Sequence, residues 1–198
     1  MARGESPDVD ARVARCLAAG DDRGAAEAIA QELGPALRGY LCAVLRSEDD
    51  AGEVFADVCE QVLKNVGGFR GESTVKTWAY RIAWRTAMHF RRSPGRRRAA
   101  PLRTEDVSGI AQPARSATAQ HLRTDAKDWL ARIREELSIE DQSLLTLRVD
   151  RGLSWNDVAV VMGDGDVAKT SALLRKRFER IKERLRAAAM RDGLVEER

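Results

Sequence analysis

The chain has 198 residues, of which 43% are hydrophobic and 33% charged, with a net charge of +3. That is enough for one medium core or two small ones. No apolar run approaches the roughly 20 residues that span a bilayer, and the N-terminus lacks the apolar stretch of a signal peptide, so a cytoplasmic protein with no membrane insertion is expected. Cys16, Cys42 and Cys59 are scattered without C-x-x-C pairing, and His89 and His121 are isolated. No metal, cofactor, disulfide framework or catalytic residue is expected from them.

Strand signals are lacking and helical periodicity recurs along the chain, which predicts an all-α protein. Val13, Cys16 and Leu17 suggest a first helix ending near Gly20. Residues 25–45 carry Ile29, Leu33, Leu37, Leu41 and Leu45 on one stripe, with an interruption or kink expected at Gly34-Pro35. Ala51, Val54, Phe55, Val58 and Val62 step by three and four and stop at Gly67-Gly68. Ser73 or Thr74 then caps a helix that runs to about Arg92 and is terminated by Ser93-Pro94-Gly95. From there to about Thr124, Pro94, Pro101 and Pro113 lie among small and polar residues without period, which reads as a linker.

A second helical set starts near Asp125, with Trp129, Leu130, Ile133 and Leu137 on one stripe. Ser138 and Asp141 open a helix carrying Leu144, Leu145 and Leu147 that ends near Gly152. Ser154 and Asp157 form a capping box before Val158, Ala159, Val161 and Met162. After a Gly-Asp-Gly-Asp turn at 163–166, a last helix carries Leu174, Phe178, Ile181 and Leu185 on its apolar side. A short helix, a turn and a long basic helix read either as a helix-turn-helix, whose second helix lies in the DNA major groove, or as an ordinary antiparallel helix pair with a charged surface; the density of Arg and Lys favours the first. The expected architecture is two small helical domains, 10–92 and 125–191, joined by a flexible linker at 93–124, the second domain being the helix-turn-helix.

Charge is segregated along this chain. Residues 48–60 carry six acids and no base, residues 81–103 eight arginines and no acid, and residues 169–191 nine basic residues against two acids. One such run is usually a solvated helix face; two basic runs and one acidic run together favour a polyanion partner plus a protein partner. Phe69-Arg70-Gly71-Glu72-Ser73-Thr74 followed by Thr77-Trp78-Ala79-Tyr80-Arg81-Ile82-Ala83 combines phosphate-gripping bases with aromatic faces on one helix, a combination suited to opened nucleic acid. Trp78 is expected in the core and Trp84 partly exposed.

These segments resemble an extracytoplasmic-function sigma factor, the small two-domain class of bacterial transcription initiation subunit. Residues 50–62 resemble the family's acidic helix, residues 69–92 its promoter-opening and minus-ten segment, and Leu153 to Gly163 the first half of its minus-thirty-five helix-turn-helix. The resemblance implies a non-enzymatic promoter-specificity subunit. Its partners would be core RNA polymerase, at the largest-subunit clamp helices and the beta flap, and promoter DNA. Family members are often held inactive by an anti-sigma factor, although no residue here identifies one.

The residues implied for polymerase binding are Asp50, Glu53, Val54, Asp57, Val58, Glu60 and Gln61. Those for the minus-ten element are Arg70, Lys76, Arg81, Trp84, Arg85, His89 and Arg92, with the turn at 65–73 bordering a pocket for a flipped base. Those for the minus-thirty-five element are Thr170, Ser171, Arg175, Lys176, Arg177 and Arg180.

Three departures from the family pattern stand out. Ala56-Asp57 replaces the usual Gln-Glu, Arg85 stands where Asn is common, and His89 where Asp is common. In the last helix the family's Val-Lys-Ser-Arg-Leu register falls best on Leu174 to Phe178, which implies a turn about five residues longer than usual with Thr170 and Ser171 at the start of the helix. A stand-alone helix-turn-helix regulator is the alternative, though it has no need of the acidic helix. A nuclease with a metal on Glu53, Asp57 and Glu60 is a weaker one, since no second carboxylate cluster supports it.

Overall fold

The structure, a computed structural model, describes residues 8–93, 129, 133–134 and 136–194. Among these residues it is all-α, with no strand. The predicted linker, with Arg96, Arg97 and Arg98, lies outside them, as do Leu130 and His121.

In the N-terminal half, α1 (Asp8–Ala18), α2 (Asp22–Leu45), α3 (Glu48–Asn65) and α4 (Val75–Arg92) pack around one core. Asp21, Ser47 and Thr74 cap α2, α3 and α4, each accepting a backbone N–H three residues on, which satisfies donors the first turn leaves unpaired. Asp10 of α1 adds a second such bond, accepting the N–H of Val75 at 2.8 Å, so α1 fixes the start of α4. Of the interruption or kink expected at Gly34-Pro35, the interruption does not occur, and α2 runs through Pro35. Beside it, Gly34 sits where an added Cβ would lie 3.5 Å from the Phe55 ring of α3, and packing against α3 holds the two turns together.

The C-terminal half contains α5 (Ile139–Leu145), a π-helical turn at Thr146–Asp150, α6 (Trp155–Met162) and α7 (Val167–Arg191). Ser138 and Ser154 cap α5 and α6 as expected. Gly152 ends the π-turn at φ 69°, in the left-handed region that glycine enters without a steric penalty.

Buried residues of the two halves meet in one continuous cluster. Tyr40 of α2 and Tyr80 of α4 meet edge to face at 5.4 Å, and the Tyr40 hydroxyl donates to Ser143 of α5 at 3.3 Å. Burial pushes both phenols above their usual titration range. Arg46, the one non-glycine residue at positive φ among those described, donates to the carbonyls of Arg134 at 3.0 Å and Leu137 at 2.7 Å. The turn that ends α2 is thereby tied to the segment that begins the second half.

Candidate polymerase and DNA interfaces

The acidic helix is α3. Its first turn holds Glu48, Asp49 and Asp50, where carboxylates oppose the positive end of the helix dipole. Glu53, Glu60 and Gln61 are exposed and Asp50 and Asp57 half-exposed, giving a polar face pointing away from the core. Val54 and Val58 are not on that face. Both are buried, at 0% and 1% exposure, and they anchor α3 to the core because they belong to the same apolar stripe as Ala51 and Val62. Glu60 pairs with Lys64 one turn later. Glu53, Asp57 and Glu60 form no metal-binding group, and no cluster of three potential ligands occurs among the described residues. The Cys42 and Cys59 thiols are half-buried, and desolvation raises their pKa values, so both favour the protonated form.

The turn before α4 carries Gly71 at φ 70° with exposed Arg70 and Glu72 on either side. Phe69 leans on Trp78, ring centres 5.4 Å apart. The two tryptophans exchange their expected places: Trp84 is buried at 8% exposure and Trp78 is only half-buried. The physical reason is that α4 is covered from two sides, by α2 and α3 and by α6. Trp84 shares its face with Tyr80, Ala83 and Ala87, all inside, and this removes it from the candidate DNA contacts. Arg85, His89 and Arg92 are exposed, Arg81 and Lys76 half-exposed.

Three of these basic residues already have partners in the C-terminal half. Lys76 donates to the carbonyl of Arg151 at 3.1 Å. Arg85 and Arg81 both reach the Asp164 carboxylate, Arg81 at 3.5 Å. The Arg85 hydrogen bond, followed by its charge, holds the Asp164 carboxyl below the usual range. Next to them the Thr77 hydroxyl donates to Asp157 at 2.9 Å. Nothing in the sequence pattern singled out Asp157 or Asp164 as partners for α4. Their only visible signals were the capping box and the acidic turn, both of which are local.

In the helix-turn-helix, the turn 163–166 is short. Helix α7 starts at Val167, capped by Asp166, whose side chain accepts the Lys169 N–H at 2.8 Å. The extra residues lengthen the helix and not the turn, while Leu174, Phe178, Ile181 and Leu185 face the core. Thr170 and Ser171 are consequently not at the start of α7 but a full turn inside it. Ser171 is 3% exposed, and an added Cβ on Gly163 would fall 2.7 Å from Thr170 Cγ2, so Thr170 packs on the turn. Ser171 cannot touch DNA from there. Arg177 also turns inward. Its Nε donates to Asp141 at 2.5 Å and an Nη to the Ser138 hydroxyl at 3.2 Å, bracing α7 on the cap of α5. Arg175 lies over the Trp155 ring at 5.7 Å and is exposed, as are Lys176 and Arg180.

An all-α protein with an acidic helix, a basic helix behind a glycine turn and a helix-turn-helix belongs among factors that bridge another protein and DNA. Residues 29–97 match the sigma-70 region 2 family model. The RNA polymerase sigma-H factor of Pseudomonas aeruginosa is 28% identical over 134 residues, covering 63% of this chain and 67% of that protein. The sigma factor YlaC of Bacillus subtilis is 27% identical over 142 residues, 71% of this chain and 80% of its own. The ECF sigma-E factor of Haemophilus influenzae is 28% identical over 126 residues, 59% of this chain and 65% of its own. Residues 29–97 thus resemble sigma-70 region 2, and the chain as a whole is similar to several RNA polymerase sigma factors, one of them of the extracytoplasmic-function class.

Proposed function

We propose that this chain is a sigma factor that docks on core RNA polymerase through the polar face of α3, contacts the minus-ten region through α4 and its preceding turn, and contacts the minus-thirty-five region through α7. The observation that carries this reading is the separation of roles on α3. Its valines are used up in the core, while Asp50, Glu53, Asp57, Glu60 and Gln61 stay on the outside, so an acidic surface is held rigidly for a basic partner. The clamp helices of the largest subunit are the partner for that face, and the beta flap is the partner for the C-terminal half. On α4 and the turn before it, Arg70, Lys76, Arg81, Arg85, His89 and Arg92 hold phosphates, which fixes position without reading sequence. On α7 the same reading narrows to Arg175, Lys176 and Arg180, with Arg177 as a brace. Residues 10–92 serve as the polymerase and minus-ten unit and residues 125–191 as the minus-thirty-five unit. The activity is recruitment and melting without catalysis by this chain, carried out alongside RNA polymerase in the cytoplasm.

The test is run-off transcription from a genomic promoter library with purified core polymerase, with and without the protein. Promoter-dependent transcripts that require it are expected. Their absence on every template, with duplex binding retained, would leave a stand-alone regulator.

A further inference from the structure

The outward face of α7 carries a side chain that neither its apolar stripe nor its basic set accounts for. Leu173 is 59% exposed, the most exposed large hydrophobic side chain among the described residues. Its neighbours three and four positions away along the helix are Lys169, Thr170, Lys176 and Arg177, so no hydrophobic residue of its own helix covers it. Ser171, Leu174 and Ile181, which hold α7 to the core, are buried on the opposite side. Lys169, Lys176 and Arg180 are exposed on the same side as Leu173, and the four residues follow one another at steps of four, three and four. The face is a line of cations with one bare leucine in it.

We propose that Leu173 is a specificity residue of the minus-thirty-five contact, reading a thymine through its C5 methyl group in the major groove. This rests on the reading of α7 as the minus-thirty-five helix. A helix-turn-helix sets the N-terminal residues of its second helix against base edges, and Leu173 is the seventh residue of the 25 in α7. Of the groups that base pairs present in the major groove, the thymine methyl is the apolar one. The surrounding cations decide the class of partner. A protein surface apolar enough to cover Leu173 would also have to meet three cations, whereas a duplex supplies phosphates on either side of the methyl. An anionic membrane supplies charge too, but it holds a helix through a broad apolar face. Between Lys169 and Arg180 the outward face has a single large apolar side chain. Lys169, Lys176 and Arg180 then hold backbone, which carries no sequence, and Leu173 distinguishes thymine from the other bases.

The probe is a promoter returned by the run-off selection, and the protein is the full chain assembled with core polymerase. Each thymine of the minus-thirty-five element, on either strand, is replaced in turn by deoxyuridine. That change removes the methyl and leaves the hydrogen bonds of the base pair in place. Equilibrium competition gives the relative affinity of each duplex. At one thymine the replacement should weaken wild type about three- to five-fold, the worth of one buried methyl. Leu173→Ala, which puts a strong helix former on an exposed position, should weaken binding to the thymine promoter by at least as much. It should then be indifferent to that replacement. Lys176→Ala should weaken binding to both duplexes and keep the ratio between them.

A promoter whose thymines can all be replaced without effect, or a replacement that weakens Leu173→Ala as much as wild type, would overturn the role of Leu173. Loss of core binding by Leu173→Ala in a pull-down would overturn it too, by giving the leucine to the polymerase. Lys169→Ala/Lys176→Ala/Arg180→Ala separates the two assignments. If that variant binds the promoter as wild type does, α7 is not a DNA surface, and the thymine contact falls with the minus-thirty-five assignment. If it binds weakly while no replacement discriminates, the minus-thirty-five assignment stands and only the role of Leu173 falls. A selection that returns no promoter takes both with it.

Discussion

The two basic helices, α4 and α7, make an instructive pair. Both carry arginine-rich faces and both were read from sequence as DNA contacts, yet their surroundings are opposite. α4 lies between α2 and α3 on one side and α6 on the other, with Tyr80, Ala83, Trp84, Ala87 and Phe90 buried. α7 buries only Ser171, Leu174, Ile181, Ala188 and Ala189 of its 25 residues, and most of its charge faces outward. Basic content alone does not distinguish a helix that is free to bind from one whose charges are engaged within the chain. The number of helices packed on it does.

The sharpest way to break this comparison is to remove the side chain that α4 gave up to the core. Trp84→Ala should cost about 3–5 kcal/mol of stability in urea denaturation, since a large buried ring leaves a cavity. A loss under 1 kcal/mol would mean that α4 is not clamped from both sides. Arg46→Met removes two charge-assisted bonds to the second half and should cost about 1.5–3 kcal/mol. It should do so through a single cooperative transition, because buried residues of the two halves form one cluster. Two separated transitions in the wild type would instead make the halves independent.

On α7 the smaller effects discriminate. Arg177→Ala strips the nearer of two arginine partners from Asp141, which is 11% exposed in its side chain and keeps Arg184 at 3.6 Å. It should cost about 1 kcal/mol, between the values for exposed pairs and buried charged bonds. Lys176→Ala should leave stability within about 0.5 kcal/mol of wild type while lowering the salt slope of duplex binding by about one. If Arg177→Ala instead changed only the salt slope, Arg177 would be returned to the DNA surface. Asp57→Lys should leave the melting curve in place and weaken only the binding of core polymerase in a pull-down.

Much of this was legible in the residues, and the exceptions have physical causes. Helix positions followed from apolar spacing and caps: Thr74, Ser138 and Ser154 each sit where a side chain must satisfy a first-turn N–H. Val54 and Val58 were misplaced on the docking face, although their i, i+4 spacing already assigned them to the core stripe. The turn at 163–166 lies where the residues put it; Thr170 and Ser171 fell at the helix start only through the family register laid on Leu174 to Phe178. Asp166, three residues before Lys169, was the available sign of a helix start. Trp84 could not be placed from its own helix, since α4 is packed from two sides and buries more than one face. The same holds for Asp157 and Asp164. Their partners lie about 80 positions earlier in the chain, and no local pattern encodes a contact of that span.

That span also has a consequence in time. Ser143, the partner of Tyr40, is 103 residues downstream, and the carbonyl of Leu137 that receives Arg46 is 91 downstream. At roughly 5–20 residues per second of synthesis, the first half leaves the ribosome about 5–20 s before the second can cover it. For that interval each nascent chain presents α4 with nothing from the second half laid across it.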